Sequence, residues 1–259
     1  VDPVSHDCLV AQTREGGPRR ALAYGLANNE TGRLSPAPAE GGAAGDLALV
    51  DVAQLVGRMA FDFAASGADM AILSAHKLGG PKGVGALVAR GGLGPFALHA
   101  GGGQERGWRA GTEAVALIAG FGAAAAAARE DLAAGAWARV EKLRKILENT
   151  LSAEVPGLTI LDEDRPRLPN TSCLALPGWR AETQVMQLDL AGIAVSAGAA
   201  CSSGKVGPSR TLRAMGLDEI TAGSAIRVSF GPTTDAAELD RFAETWIAAA
   251  RRRRPARAA

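Results

Sequence analysis

The chain has 259 residues, 47% of them hydrophobic, which is enough for one large or two modest domains with a substantial core. Its net charge of +1 argues against nucleic-acid or membrane-surface binding driven by bulk electrostatics, and no apolar run is long enough to cross a bilayer. No signal peptide is visible, and the three cysteines, Cys8, Cys173 and Cys201, are too widely spaced for a disulfide framework or a metal knuckle. We therefore expect a protein of the reducing cytoplasm.

Three short apolar runs are predicted strands, and each is followed by polar side chains. The runs and the residues after them are 21–27 with Asn29, 46–50 with Asp51 and Gln54, and 70–73 with Ser74, His76 and Lys77. In open α/β sheets, ligands bind outside the carboxyl ends of the strands. A turn asparagine, a helix-capping aspartate or a satisfied histidine would explain any one end alone, but the three together predict one shared site.

Lys77 precedes a glycine-rich turn, after which a further apolar run covers residues 84–88. A lysine between two strands projects into the cavity that the sheet builds, not from a solvated helix face. Half-buried lysines lose a proton readily and become amine nucleophiles, which is how Schiff-base lysines arise. The alternative for this segment alone is a surface turn that carries two lysines, Lys77 and Lys82.

A second glycine-rich stretch, residues 101–112, lacks the Gly-Lys-Ser/Thr ending of a nucleotide-binding loop. It contains Arg106 and Arg109, and it ends with Thr112 just before a predicted helix. Such a stretch suits an anion contact at the helix N-terminus. The alternative is a mobile surface loop.

The rest of the chain alternates helices and strands. The pattern predicts helix from Thr112 to about residue 152 with a break at Gly135, where we expect the boundary between a domain of residues 1–135 and one of residues 136–259. Further elements are expected as strands near 158–161, 171–176, 193–196 and 225–230, a helix over 181–190 and a closing helix from about 234. The basic residues 251–259 are expected to form a disordered tail. This order predicts a two-domain α/β protein.

Asp51 and Lys77 suit opposite ends of one planar ring. A carboxylate facing a pyridinium nitrogen keeps that nitrogen protonated, which makes pyridoxal phosphate an electron sink. Gln54 and Asn29 suit hydrogen bonds to the ring hydroxyl and to a bound substrate. Arg227, on a predicted strand, suits a substrate carboxylate, and a buried structural ion pair is its alternative.

Cys201 lies among small residues in a predicted mobile loop over 196–208. Because nothing there would pack the side chain, a reactive thiol is the better interpretation. Cys173 lies in an apolar strand and is expected to be a core residue.

Six segments in this order resemble those of the cysteine desulfurases, in the branch that serves nitrogenase and iron–sulfur cluster assembly. They are residues 27–32, 51–54, 74–87, 101–113, 196–204 and 225–231. The resemblance implies a fold-type I, aspartate-aminotransferase-like large domain and a smaller α+β C-terminal domain. Family members carry an N-terminal portion, roughly a third of the enzyme, before the point that matches the start of this chain. The chain is therefore expected to be incomplete at its N-terminus.

The resemblance also implies roles for individual residues. By it, Lys77 binds pyridoxal 5'-phosphate covalently, and Cys201 attacks the sulfur of L-cysteine, which leaves a persulfide and releases alanine. The remaining roles are ring contacts for Asp51 and Gln54, phosphate contacts for Ser74 and His76, a contact of Thr112 with the phosphate of the partner subunit in a homodimer, and substrate contacts for Asn29 and Arg227. His76 counts as catalytic with Lys77 and Cys201. The sulfur would pass to an acceptor or iron–sulfur scaffold protein.

Three alternatives remain open from the sequence. The chain could be a sulfur-handling or partner-binding module that has lost cofactor binding with its N-terminal portion. It could be a selenocysteine lyase or a lyase of the cysteine-sulfinate type. Nucleic-acid binding through the arginine tail is the weakest alternative.

Overall fold

A computed structural model describes residues 21–36, 46–93, 101–197 and 209–253 of the chain. These residues form two compact units. The first, here called the lysine unit, comprises the described residues among 14–26 and 36–133. The second, here called the arginine unit, comprises those among 27–35 and 134–259.

The lysine unit contains a four-stranded sheet in the order β1-β2-β3-β4. The strands are β1 (Ala21–Gly25), β2 (Leu47–Asp51), β3 (Met70–Ser74) and β4 (Gly85–Ala89). β1, β2 and β3 are parallel, and β4 pairs antiparallel with β3. Ala48, Val50 and Ala71 are buried, which explains why these strands are short apolar runs in the sequence. The predicted strands of this region are confirmed.

A short 3-10 helix (Ala75–Leu78) joins β3 to the turn before β4, and Gly79 ends it in the left-handed conformation with φ +84°. The long helix α1 (Val115–Ala133) packs against this segment through small residues. A Cβ added at Gly80 would lie 3.1 Å from the Cβ of Ala124, and one added at Gly120 would lie 3.1 Å from Cγ of Pro81. The alanine-rich composition of α1 therefore allows a close approach to the segment that carries Lys77.

The arginine unit contains an antiparallel sheet in the order β5-β6-β8-β7 and five helices. Its strands are β5 (Thr159–Ile160), β6 (Thr171–Ala175), β7 (Ser196–Ala197) and β8 (Ala225–Ser229). Its helices are α2 (Ala136–Glu154), α3 (Ala181–Leu190), α4 (Arg210–Ala214), α5 (Glu219–Ala222) and α6 (Ala236–Arg252). The strand expected over 193–196 begins only at Ser196, so that prediction is wrong for residues 193–195. Gly135, with φ +71°, separates α1 from α2 at the predicted break.

The core of the arginine unit lies between its sheet and the helices α2, α3 and α6. Leu151 of α2, Ile226 of β8 and Trp246 of α6 are fully buried in it. The buried amide of Gln184 accepts a hydrogen bond from Trp246 Nε1 (3.0 Å) and donates to the carbonyls of Trp179 and Ser224. This polar group is therefore satisfied inside an apolar core.

Helix α6 begins with a capping box formed by Asp235 and Glu238. It continues through Arg251 and Arg252, so the prediction of a disordered tail from residue 251 is wrong for these two residues. Arg251 pairs with Glu154, and positive side chains are favourable at a helix C-terminus because they face its negative end. Residues 254–259 lie outside the described residues. None of the described helices is both long enough and apolar enough to cross a membrane.

Candidate active site

The carboxyl ends of the three parallel strands lie at one edge of the sheet in the lysine unit. Gly25 pairs with Asp51, and Asp51 pairs with Ile72. The backbone hydrogen bonds continue past the strand ends, with Leu26 N–H donating to Asp51 O and Val52 N–H to Ile72 O. The residues that follow β2 and β3 therefore meet at this edge, whereas Asn29, which the sequence predicts at the same site, belongs to the arginine unit.

The carboxylate of Asp51 is held in place by its own backbone. Oδ1 accepts a hydrogen bond from the N–H of Ala53 at 2.9 Å. Gln54 follows in a helical turn, where Leu55 and Val56 donate to the carbonyl of Val52, and its side chain is half-buried. A carboxylate held by its own backbone and, three residues later, an amide therefore follow the end of β2.

Ser74 and His76 form a hydrogen-bonded pair after β3. Ser74 Oγ and His76 Nδ1 are 2.7 Å apart, and the direction of donation depends on the tautomer of the imidazole. Partial desolvation, and then the positive charges of Lys77 and Lys82, lower the pKa of His76 below its usual value. The imidazole is therefore neutral at neutral pH and carries one N–H.

Lys77 follows His76 in the 3-10 helix and is half-buried. Arg58, which sequence reasoning missed, contacts the backbone on both sides of the site. Its Nη1 donates to Gln54 O at 2.7 Å and its Nη2 donates to Lys77 O at 3.0 Å. In the sequence, the only signal for this residue is its position just after Gly57, in the turn that follows Gln54.

Thr112 is exposed and lies three residues before α1, at the end of the second glycine-rich stretch. Within that stretch Glu105 and Arg106 adopt left-handed conformations, with φ +48° and +57°. Arg109 pairs with Glu105 at 2.8 Å and donates to the carbonyls of Ala110 and Gly111. Arg109 therefore stabilises its own loop, whereas the sequence predicts an arginine available for an anion.

Arg227 and Asn29 come together in the arginine unit. Arg227, on β8, donates from Nη1 to Asn29 O at 2.9 Å and from Nη2 to Ser196 Oγ at 3.1 Å. Both acceptors are neutral, and the buried Nε has no hydrogen-bond partner among the described residues. Among the described residues, the guanidinium is thus oriented by neutral oxygen atoms, and none of them forms the structural ion pair that was the sequence alternative.

The segment that carries Asn29 is a tight turn closed by its neighbour. Asn28 Oδ1 accepts hydrogen bonds from the N–H groups of Glu30 and Thr31, and Asn28 N–H donates to Arg33 O. Gly32 needs its φ of +77°, and its carbonyl accepts from Leu168 N–H at 2.8 Å. Asn28 therefore shapes the turn, and Asn29 presents its carbonyl to Arg227.

The two cysteines of interest differ in what can be said of them. Cys201 lies outside the described residues, so its role stays a prediction. Cys173, on β6, has no exposed surface, which confirms that it is a core residue. Burial, and then the negative charge of Glu30, raise the pKa of the Cys173 thiol far above its usual value.

Comparisons with known proteins agree on one family. The model of the family described as aminotransferase class-V matches residues 17–242. The cysteine desulfurase of Cereibacter sphaeroides is 46% identical over 234 residues, which are 88% of this chain and 59% of that protein. The cysteine desulfurase of Gluconacetobacter diazotrophicus is 41% identical over 89% of this chain and 58% of that protein. The chain thus spans less than three fifths of these relatives.

Solved structures give the same result. A NifS-like protein from Rickettsia africae superposes with a TM-score of 0.78 at 30% identity, covering 93% of this chain and 64% of that one. SspA, solved in complex with cysteine, superposes with a TM-score of 0.62 at 26% identity, covering 88% of this chain and 63% of that one. The expected fold class and the resemblance to cysteine desulfurases are confirmed.

Proposed function

The chain belongs to the aminotransferase class-V family, and on that premise we propose that it is part of a pyridoxal-phosphate-dependent cysteine desulfurase that converts L-cysteine to L-alanine and an enzyme persulfide. The observation that carries the proposal is the edge of the lysine unit, where an amine-bearing segment and an oriented carboxylate follow adjacent strands. The identity of 46% to a cysteine desulfurase supports the same activity.

The donor set at this edge fits pyridoxal 5'-phosphate. The ring needs a carboxylate for its nitrogen and a donor for its hydroxyl, and Asp51 and Gln54 supply these groups at the end of β2. The phosphate needs hydrogen-bond donors, and the Ser74–His76 pair at the end of β3 supplies one, from the Ser74 hydroxyl or from the His76 imidazole according to the tautomer. Lys77 supplies the amine that binds the cofactor covalently. When bound, pyridoxal phosphate acts as an electron sink.

The arginine unit supplies the groups for the substrate. Arg227 has two neutral hydrogen-bond acceptors, so its positive charge suits the carboxylate of an amino acid. The backbone carbonyl of Asn29 accepts a hydrogen bond from Arg227, and Asn29 suits a contact with the same substrate. In this proposal these residues orient L-cysteine, and the cysteine bound to SspA supports that substrate class.

Cys201 accepts the sulfur. Its thiolate attacks the sulfur of L-cysteine, a sulfur–sulfur bond forms, and the bond between the substrate Cβ and sulfur breaks. The electron pair of the broken bond stays on Cβ, which takes up a proton to give alanine. Cys201 is left as a persulfide, so no outside oxidant is required, and the sulfur then passes to an acceptor or an iron–sulfur scaffold protein in the cytoplasm.

We further propose a homodimer in which Thr112 reaches the phosphate bound by the partner subunit. Thr112 is exposed just before α1, so it is available to a second copy. The size of the purified protein with and without cofactor, measured by light scattering, tests this arrangement.

The function is tested with the purified protein and pyridoxal phosphate. We expect a visible absorbance band from the cofactor bound covalently at Lys77, and alanine and persulfide formation from L-cysteine. Lys77→Ala should lose the band, whereas the matched variant Lys82→Ala should keep it. Cys201→Ser should keep the band and lose the persulfide. A covalent cofactor that persists in Lys77→Ala would refute the assignment.

A further inference from the structure

Arg58 joins the two halves of the candidate cofactor site in the lysine unit. Its guanidinium donates at once to the carbonyl of Gln54, at 2.7 Å, and to the carbonyl of Lys77, at 3.0 Å. The first carbonyl belongs to the turn after β2, and the second belongs to the 3-10 helix after β3. One side chain therefore connects the segment that carries Asp51 and Gln54 with the segment that carries Lys77.

The carbonyl of Lys77 is one that its own helix leaves open. The 3-10 helix has four residues, Ser74 gives it no side-chain cap, and the N–H groups of Gly79 and Gly80 both donate to Ala75 O. Carbonyls in the last turn of a helix need partners from elsewhere. Arg58 supplies that partner for Lys77, so the position of the Lys77 backbone depends on the Arg58 side chain.

The packing around Arg58 leaves it little freedom. Its neighbour Gly57 has φ +83°, and a Cβ added there would lie 2.5 Å from Leu78 Cδ2 and 3.2 Å from Ala128 Cβ. The backbone before Arg58 thus lies directly against the lysine helix and α1. Arg58 itself is half-buried, which lowers the pKa of its guanidinium, yet arginine stays protonated in proteins and keeps all its donors.

We propose that Arg58 is a positioning residue, which sets the distance from the Lys77 backbone to the Asp51–Gln54 turn and thereby the fit of the cofactor between them. The proposal rests on the proposed function, because it takes Asp51, Gln54 and Lys77 as the residues that contact the cofactor. The planar guanidinium binds two carbonyls in a fixed geometry, whereas a lysine ammonium is a single point charge. The role is therefore specific to arginine.

The test compares Arg58 with Arg90, a second half-buried arginine of the same unit. Arg90 donates to the carbonyls of Ala68 at 2.6 Å and Ala64 at 2.9 Å, near the opposite end of β3. Arg90→Met therefore removes the same kind of contact away from the candidate site. The variants are Arg58→Met, Arg58→Lys and Arg90→Met, prepared in the full protein.

Three quantities are measured for each variant. These are the dissociation constant for pyridoxal phosphate by absorbance titration, the position and intensity of the visible band, and amide hydrogen exchange without cofactor over residues 52–56 and 75–80. Hydrogen exchange reports the connection between the two segments even when no cofactor binds. The dissociation constant and the visible band report whether that connection affects cofactor binding.

Arg58→Met is expected to weaken cofactor binding by about tenfold or more, to alter the visible band, and to speed exchange in both segments together. Arg58→Lys, with one ammonium in place of the planar guanidinium, is expected to restore slow exchange and only part of the affinity for the cofactor. Arg90→Met is expected to leave affinity and band within about twofold of the parent. If Arg58→Met matches the parent in affinity, or if Arg90→Met reproduces its changes, the positioning role is wrong.

The two proposals fail in distinguishable ways. If the parent protein takes up no pyridoxal phosphate, the proposed function is contradicted. If in the same samples exchange over 52–56 and 75–80 is faster in Arg58→Met than in Arg90→Met, the connection through Arg58 is still supported. If exchange in those segments is the same in both variants, that connection is contradicted.

Discussion

Ser74 and His76 share one hydrogen bond, and that bond limits what each can offer a ligand. If the Ser74 hydroxyl donates to Nδ1, the imidazole presents its Nε2–H outward. If Nδ1–H donates to Ser74 Oγ, the serine hydroxyl proton is the one left for a ligand. Either tautomer provides one neutral donor from the pair. A phosphate bound here would therefore take no charge compensation from His76.

The charge on His76 can be measured directly. Its pKa is lowered by partial desolvation and then by Lys77 and Lys82, so it should titrate below an ordinary histidine. Lys82→Met removes one of the two charges, and the pKa of His76 should rise toward its usual value. NMR titration of the imidazole signals checks this, with Lys145→Met as the control. An unchanged midpoint in Lys82→Met would show that the charge of Lys82 does not reach the ring.

The thiol of Cys173 should not react with alkylating reagents in the folded protein. Its thiol is fully buried, and burial and the charge of Glu30 raise its pKa, so the reactive thiolate is suppressed. We expect no carbamidomethylation of Cys173 by iodoacetamide in native protein and complete labelling in concentrated urea. Peptide mass spectrometry reads both states. Equal labelling rates in the two states would contradict the buried placement.

A hydrogen bond can be predicted from the sequence when its two residues are close together along the chain. The turn closed by Asn28 is readable because its bonds reach only two and three residues along the chain. The bond from Arg227 to Asn29 joins residues 198 positions apart, and no local pattern encodes it. The resemblance indicates both residues, whereas only the folded chain shows that they are in contact.

Among the elements, α1 shows why composition can matter more than amphipathicity. Its alanines and glycines face the lysine segment closely, while Val115 and Ile118 are exposed. Small side chains on a helix let the backbone of a neighbouring turn approach. The sequence predicts the helix from its alanine content, but the direction of its packing face carries no periodic signal.

Gly57→Ala tests the close approach beside that helix. An alanine there must adopt φ +83° and would place its Cβ 2.5 Å from Leu78 Cδ2. The left-handed conformation alone costs about 1–2 kcal/mol, and displacing Leu78 adds to it. We expect the free energy of unfolding, from urea denaturation, to fall by about 2 kcal/mol.

Gly122→Ala is the matched control on α1. A Cβ added at Gly122 meets no atom within 4 Å, and the backbone there is helical. This change should raise the free energy of unfolding by up to about 1 kcal/mol, because glycine disfavours helices. If Gly57→Ala is as stable as Gly122→Ala, the tight contact of residue 57 is wrong.

The ends of helices can likewise be predicted from the sequence when neighbouring residues determine them, and not when a distant residue does. The break at Gly135 and the capping box of α6 were readable because glycine conformation and capping are local. The 3-10 helix at Lys77 was expected as a turn, since four residues show no period. The sequence predicts a disordered tail from Arg251, because a run of arginines is typical of solvated charge, but Arg251 lies in α6 and pairs with Glu154.

At the scale of the whole molecule, one buried charge network spans distant parts of the sequence within the arginine unit. Glu148 on α2 accepts hydrogen bonds from Arg144, Arg167 and Ser172. All four side chains are almost fully buried. The neighbours of Arg167 bond to the turn that contains Asn29: the carbonyl of Pro166 accepts from Leu34 N–H, and the N–H of Leu168 donates to the carbonyl of Gly32. The network therefore holds Arg167 next to the two residues that hydrogen-bond to the turn of Asn29, one of the proposed substrate contacts.

The sequence does not predict this network, because Arg167 and Ser172 lie 19 and 24 residues after Glu148 and each member is a common surface type. A charge in an amphipathic helix is normally solvated, and Glu148 reads as one more such residue in α2. Burial reverses that expectation only when several partners converge, which is a property of the assembled fold.

Glu148→Gln should be strongly destabilising. Burial alone would raise the pKa of Glu148, but the Arg167 hydrogen bond, the charges of Arg144 and Arg167 and the Ser172 hydrogen bond outweigh it and lower the pKa. Removing the carboxylate takes the closest counter-charge from two buried guanidinium groups, of which Arg144 keeps only Glu141 at 3.9 Å, and this costs about 3–5 kcal/mol. Glu141→Gln, on the same helix but 44% exposed in its side chain, should cost about 1 kcal/mol or less in the same urea denaturation.

The free energies of unfolding of the parent protein and of Glu148→Gln, measured as a function of pH, test whether the ionised carboxylate is the cause. A carboxylate whose pKa is lower in the folded than in the unfolded state contributes stability that is complete above the unfolded pKa, about 4.3, and is lost as the pH falls through the folded pKa. The stability gap between the parent and Glu148→Gln should therefore be constant near neutral pH and should narrow below about pH 4. A gap that stays constant into that acid range would mean that the ionised carboxylate of Glu148 is not what holds the two arginines.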